Sequence, residues 1–117
     1  MANLVKDVET FERDILKISG PLGVNMTLKT GVKTIVAGQL LSYEETTGKL
    51  VKYEKTTHPA FTVALEDADA TSSDVPVLVA VPGTTINSKK ITGAELASDF
   101  NVVKELWGNG ILLKEVE

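Results

Sequence analysis

Between residues 26 and 81 the pattern of apolar side chains is largely of period two, and turn residues keep each such run short. A strand alternates its side chains between two faces, so one buried face gives a period of two. The stretch is therefore confined to short strands. Met26-Thr27-Leu28-Lys29 alternates until Gly31 interrupts, and residues 32–36 read as the next strand. Residues 39–43 and 49–53 flank the polar run 44–48, which makes 39–53 a hairpin. Phe61, Val63 and Leu65 are expected on one face of a further strand. Residues 67–74 are small, polar and acidic, hence a loop. Residues 75–81 are apolar almost throughout and suit a strand buried on both faces, with Pro76 near its start, where a missing N–H is tolerated. Residues 84–91 read as another short, polar strand.

The two ends depart from this period. Leu4, Val8, Phe11, Ile15 and Ile18 recur at steps of four, three, four and three, which is a helical stripe. The same segment also suits an extended arm with a short strand over residues 15–18, and periodicity alone leaves both open. Residues 1–25 are read as an N-terminal arm and 26–117 as a β-rich domain. Near the C-terminus, Thr92-Gly93-Ala94-Glu95 has the pattern of a capping box, with Ser98 or Asp99 as alternative caps. Leu96, Phe100, Val103 and Trp107 form a stripe expected to be core, and Gly108 is expected to end the helix. Asn109-Gly110 then turns the chain into a last strand. The fold class is mainly β: a small barrel or sandwich of short strands with one C-terminal helix over an open end or face.

Composition narrows the chemistry. The chain of 117 residues is the size of one domain, with an apolar share of 43% and a charged share of 24%. It has no Cys, one His (His58) and one Arg (Arg13). Thiolate zinc sites, Cys nucleophiles and multi-His metal centres within one chain are thereby removed. The net charge is −4, and the lysines are scattered, which argues against direct nucleic-acid binding. No apolar run approaches a membrane span, and the opening residues lack a signal-peptide pattern, so synthesis in the cytoplasm is expected. His58 lies in a loop sequence without a nucleophile or orienting partner in view. Asp67, Asp69 and Asp74 lack the central Gly and distal Glu of a calcium loop. No catalytic residue, cofactor or metal is expected, and an enzyme built on His58 with Asp67 or Asp69 ranks last among the readings.

Three strings say more. Gly38-Gln39-Leu40-Leu41 followed by Thr47-Gly48-Lys49-Leu50-Val51-Lys52-Tyr53 is one. Phe61-Thr62-Val63-Ala64-Leu65-Glu66-Asp67-Ala68-Asp69-Ala70-Thr71, then Asp74-Val75-Pro76-Val77-Leu78-Val79, is the second. Leu106-Trp107-Gly108-Asn109-Gly110-Ile111-Leu112-Leu113-Lys114 closes the chain. In order and spacing they resemble the tailed-phage head decoration proteins, the family of the lambda capsid-stabilising protein. The resemblance covers roughly residues 26–116. It departs at Phe61-Thr62, where Val-Gly would be usual, and residues 1–25 match only loosely.

The resemblance implies a structural virion protein on the exterior of the head, made in the cytoplasm of a host bacterium. It implies a homotrimer at local threefold positions that clamps the major capsid protein of an expanded shell. It also implies an N-terminal arm, carrying Leu4, Val8, Phe11, Ile15 and Ile18, that orders on the capsid. The competing expectation is a small cellular β-barrel carrier or ligand-binding module, with a pocket and stable monomers.

Overall fold

A computed structural model describes residues 16–55, 57–94 and 100–115. The described chain runs β1 (Lys17–Ser19), β2 (Val24–Leu28), β3 (Lys33–Ile35), β4 (Leu40–Glu44), β5 (Lys49–Lys52), β6 (Thr62–Val63), β7 (Ala68–Ala70), β8 (Val75–Val79) and β9 (Thr85–Asn87). A single 3-10 turn (Ser88–Lys90) follows, then helix α1 (Phe100–Gly108) and β10 (Leu112–Lys114). Among the described residues the class is mainly β with one α-helix, in keeping with the alternating pattern.

A five-stranded sheet, ordered β6-β4-β5-β2-β8, forms the centre. Its β4–β5 hairpin is antiparallel, pairing Leu41 with Lys52 and Glu44 with Lys49. The outer strands approach each other at one bridge between Ala64 and Val79. No continuous ladder closes the sheet into a barrel, so the barrel alternative is set aside. A three-stranded sheet (β1-β9-β10) and a two-stranded one (β3-β7) complete the described strands.

Successive residues of β4 explain the layering. Leu40 and Leu41 are both fully buried but belong to different cores. Neighbouring strand residues point to opposite faces, so the central sheet is covered on both sides there. One core gathers Leu40, Val63, Ile86, Val102, Leu106 and Ile111. The other gathers Leu28, Ile35, Leu41, Leu50, Val77 and Val79. Val63 and Ala64 divide between the two cores in the same way. Each fully buried aliphatic side chain contributes about 1.5–3 kcal/mol relative to an exposed one.

Several expectations are corrected. The acidic run 67–74 contains strand β7, which pairs with β3 through Lys33–Ala70 and Ile35–Ala68. Strand β8 is not buried on both faces: Val77 and Val79 are buried, but Pro76 is exposed and Leu78 half-buried. Phe61 packs with one core while Val63 and Leu65 pack with the other; Phe61 precedes the two-residue β6 and so lies outside that strand's alternation. Residues 84–91 form a three-residue strand and a 3-10 turn, with Asn87 capping the turn by accepting from the Lys89 N–H. Thr92 makes a bridge to Gln39. The cap residues Glu95, Ser98 and Asp99 and the stripe residue Leu96 lie outside the described residues. The proposed division at residue 25 falls within β2, and β1 already pairs with β9.

The helix shows the largest correction. Its buried residues are Val102 and Leu106, whereas Val103 is 41% and Trp107 68% exposed. Val103 and Trp107 are therefore a surface stripe, one residue out of phase with the core. The cause lies at the C-terminus. The Ile111 N–H bonds the Leu106 carbonyl at 2.9 Å and the Gly110 N–H bonds that of Trp107 at 3.0 Å. Gly110 has φ +81°. This is a Schellman ending with Gly110, not Gly108, in the left-handed position. It clamps Leu106 against Ile111 in one core and turns Trp107 outward.

Candidate functional site

The expected arm is described only from Leu16 onward. Ile18 lies in β1, half-buried, on a strand that pairs antiparallel with β9. The Asn87 N–H donates to the Leu16 carbonyl at 2.7 Å, and Leu16 packs against the helix-side core. Ile18 thus belongs to the extended reading of this segment. Leu4, Val8, Phe11 and Ile15 lie outside the described residues.

Three uncharged turns meet next to β1. They are residues 19–23, 81–85 and 107–111. The Gly83 N–H bonds the Gly110 carbonyl at 2.7 Å, and the Leu112 N–H bonds that of Thr84 at 2.9 Å. A Cβ on Gly20 would come within 2.7 Å of the Thr84 Cα, so these backbones touch. Leu22 is 86% exposed beside this junction. Of the exposed apolar residues Leu22, Val103 and Trp107, the tryptophan is of the type enriched among residues that anchor protein interfaces. The stripe analysis missed Trp107 because it assigned the residue to the core.

The acidic string serves the backbone. Glu66 accepts from the Leu78 N–H at 3.0 Å, Asp67 from the Ala37 N–H at 2.8 Å, and Asp69 from the Thr71 N–H at 3.0 Å. Asp74 accepts from the Thr30 N–H and from the Lys49 ammonium. Each carboxylate therefore ties down a loop. Among the described residues no group of three His, Asp or Glu side chains is placed to hold a metal ion.

These contacts make the fold acid-sensitive. The Lys49 ammonium, and then the Thr30 N–H, hold the Asp74 carboxyl below its usual range. Lys29 and then Thr47 do the same for Glu44, and the Thr71 hydroxyl and N–H for Asp69. A carboxyl whose pKa is lower folded than unfolded stabilises the fold fully above the unfolded value, about 4. That contribution is lost as the pH falls through the folded value. Asp74→Asn should lower the Tm at neutral pH, and its deficit should shrink steadily toward acid. Tm measured against pH for both proteins checks this, and a deficit that stays constant down to acid would contradict it.

His58 is half-buried and lines two open clefts. One, of about 440 Å³, contains the Lys29–Glu44 ion pair (2.8 Å) together with Lys52 and Glu54. The other, of about 500 Å³, lies between the β4–β5 hairpin and α1. There Glu105 accepts the Ala60 N–H at 2.7 Å, and Asn109 donates to the carbonyls of Ala60 and Phe61 at 3.3 and 3.2 Å. Those bonds clamp the helix to the loop before β6. No described helix is long and apolar enough to cross a membrane. Compared with known proteins, the chain matches no protein-family model and no curated sequence.

Proposed function

We propose that this protein is a structural virion component, not an enzyme, that binds the outer surface of a tailed-phage head as trimers at local threefold positions and stabilises the expanded shell. The carrying observation is that the residues bearing the family resemblance are the ones that build the fold. The 38–53 string forms the β4–β5 hairpin, and the 61–79 string supplies the carboxylates that fasten the loops around the sheets. The closing string makes the Schellman turn and β10. The resemblance therefore follows structural determinants, which supports a shared fold and, by analogy, a shared role.

The mechanism is avidity. A trimer presents three copies of each weak contact, and binding through one raises the effective concentration of the others. Closed cyclic symmetry limits the assembly. Apolar residues of the arm add buried area, each side chain contributing about 1.5–3 kcal/mol less its ordering cost.

The test compares the full chain with a version lacking residues 1–15, which keeps β1 and its pairing with β9. Both are incubated with expanded, undecorated heads of the phage that encodes the protein. The full chain should sediment with the heads and raise their disruption temperature. The shortened protein should keep its β-rich spectrum and lose most of its binding. Absence of binding by the full chain would overturn the reading. Undiminished binding by the shortened chain would remove the arm from it, and stable twofold dimers in light scattering would remove the trimer.

A further inference from the structure

The cleft between the β4–β5 hairpin and α1 combines features that the proposed role does not use. Tyr43 and Phe61 form its aromatic wall, with ring centres 5.3 Å apart and planes tilted by 39°. Tyr43 is 36% exposed and Phe61 half-buried, so the pair leaves aromatic surface open to the cleft. Two carboxylates, Glu45 at the hairpin tip and Glu105 on the helix, also line it. Among the described residues no lysine or arginine does, although the chain has 12 basic residues. Phe61 and Asn109 also line a second, uncharged depression bordered by Pro82 and Gly110. The two clefts adjoin across the Asn109 side chain, which bonds the Ala60 and Phe61 carbonyls, and together they make a trough with an acidic, aromatic end and an apolar end.

We propose that this trough is a docking site for an extended peptide segment of a partner protein, with an arginine in the Tyr43/Phe61/Glu45/Glu105 end and a neighbouring apolar residue at the Pro82/Gly110 end. A guanidinium is the group that this end matches. Its flat face stacks on aromatic rings, and its fork of N–H donors pairs with carboxylates in the plane of the stack. The charge is complementary, since two carboxylates stand there with no lysine or arginine, and His58 is the one basic side chain in the lining. Glu105 is already held by the Ala60 N–H, so its carboxylate loses little freedom on binding. The proposal is independent of the capsid reading, because it specifies the chemistry of the bound segment and not its source.

The test uses the full chain and a blocked hexapeptide carrying one arginine and one leucine. Binding is followed by backbone amide NMR shifts. Saturable shifts should centre on Tyr43, Phe61, Glu105 and Asn109. Replacing the peptide arginine by glutamine should weaken binding about tenfold, the scale of one charge-assisted pair. The Glu45→Gln/Glu105→Gln double variant should show a similar loss. Its amide at 105 still accepts from the Ala60 N–H, so the clamp on the helix survives. Tyr43→Leu, which removes the stacking face at an exposed position, should weaken binding several-fold and gives a second reading should the double variant misfold. Asp69→Asn removes one negative charge outside the trough and should leave affinity unchanged. Equal loss with Asp69→Asn, shifts mapping elsewhere, or equal affinity for the glutamine peptide would each overturn the proposal. Equal affinity for a lysine peptide would overturn the assignment of a guanidinium.

Discussion

Gly38→Ala should destabilise the fold by roughly 3 kcal/mol or more, combining backbone strain with overlap in a packed junction. Gly38 has φ +99°, a conformation that disfavours any Cβ. An added Cβ would also lie only 2.1 Å from the Lys90 carbonyl oxygen. That oxygen is backbone and cannot rotate away. The junction is held on both sides, since the Gly38 N–H bonds the Ala64 carbonyl at 2.8 Å and its own carbonyl accepts the Thr92 N–H at 2.9 Å. Leu40 adds a bond to the Thr92 carbonyl at 2.9 Å. Relief would have to break this stitching between the start of β4 and the segment after β9. Gly31→Ala is the matched control. Its φ is +91°, but nothing lies within 4 Å of the added Cβ. It should cost about 1 kcal/mol, from the backbone conformation alone. Denaturant midpoints for the pair separate strain from overlap, and equal losses would show that the Gly38–Lys90 approach relaxes freely.

Leu106→Ala should cost roughly 2–5 kcal/mol, whereas Trp107→Ala should stay within about 0.5 kcal/mol of the parent. The two residues are neighbours in sequence, and the larger side chain is the one that matters less. Leu106 has no exposed surface and packs with Val102, Ile86 and Ile111. Its removal leaves a cavity bounded by a helix, a strand and the Schellman turn. Trp107 is 68% exposed, so most of its ring gains nothing from folding. Thermal unfolding of both variants decides the matter. A large loss for Trp107→Ala with a small one for Leu106→Ala would mean that the helix buries the opposite stripe.

Much of the strand pattern was legible because it depends on local rules. The β4–β5 hairpin lies where alternation and a polar turn placed it. The helix phase was not read correctly, although its signal was present. Phe100, Val102, Val103, Leu106 and Trp107 contain two apolar stripes, and a moment-like reading favours the heavier one. The deciding information lay after the helix. Taking Gly110 as the left-handed residue pairs Leu106 with Ile111, two apolar groups. Taking Gly108 pairs Lys104 with Asn109, which offers no apolar contact. Strand β7 was illegible for a different reason. Ala68-Asp69-Ala70 has weak strand propensity, and its pairing with β3 is imposed by partners more than 30 positions away. The trough was equally beyond sequence reading, because Tyr43, Phe61 and Glu105 converge only once the hairpin and the helix are both docked.

The arrangement around β9 has a mechanical meaning. Strand β1 runs antiparallel to β9 and β10 runs parallel to it, so β1 and β10 run in opposite directions on either flank. Lys17 stands opposite Ile86, and Lys114 opposite Asn87. The chain therefore enters β1 and leaves β10 at the same end of the sheet, about two strand spacings, or roughly 10 Å, apart. A pull on either outgoing segment, directed away from that end, loads its strand along its length. The hydrogen bonds to β9 then resist together in shear, and do not peel open one at a time. Tension on the two segments in one direction would converge on a single central strand, which passes it to the core through the fully buried Ile86.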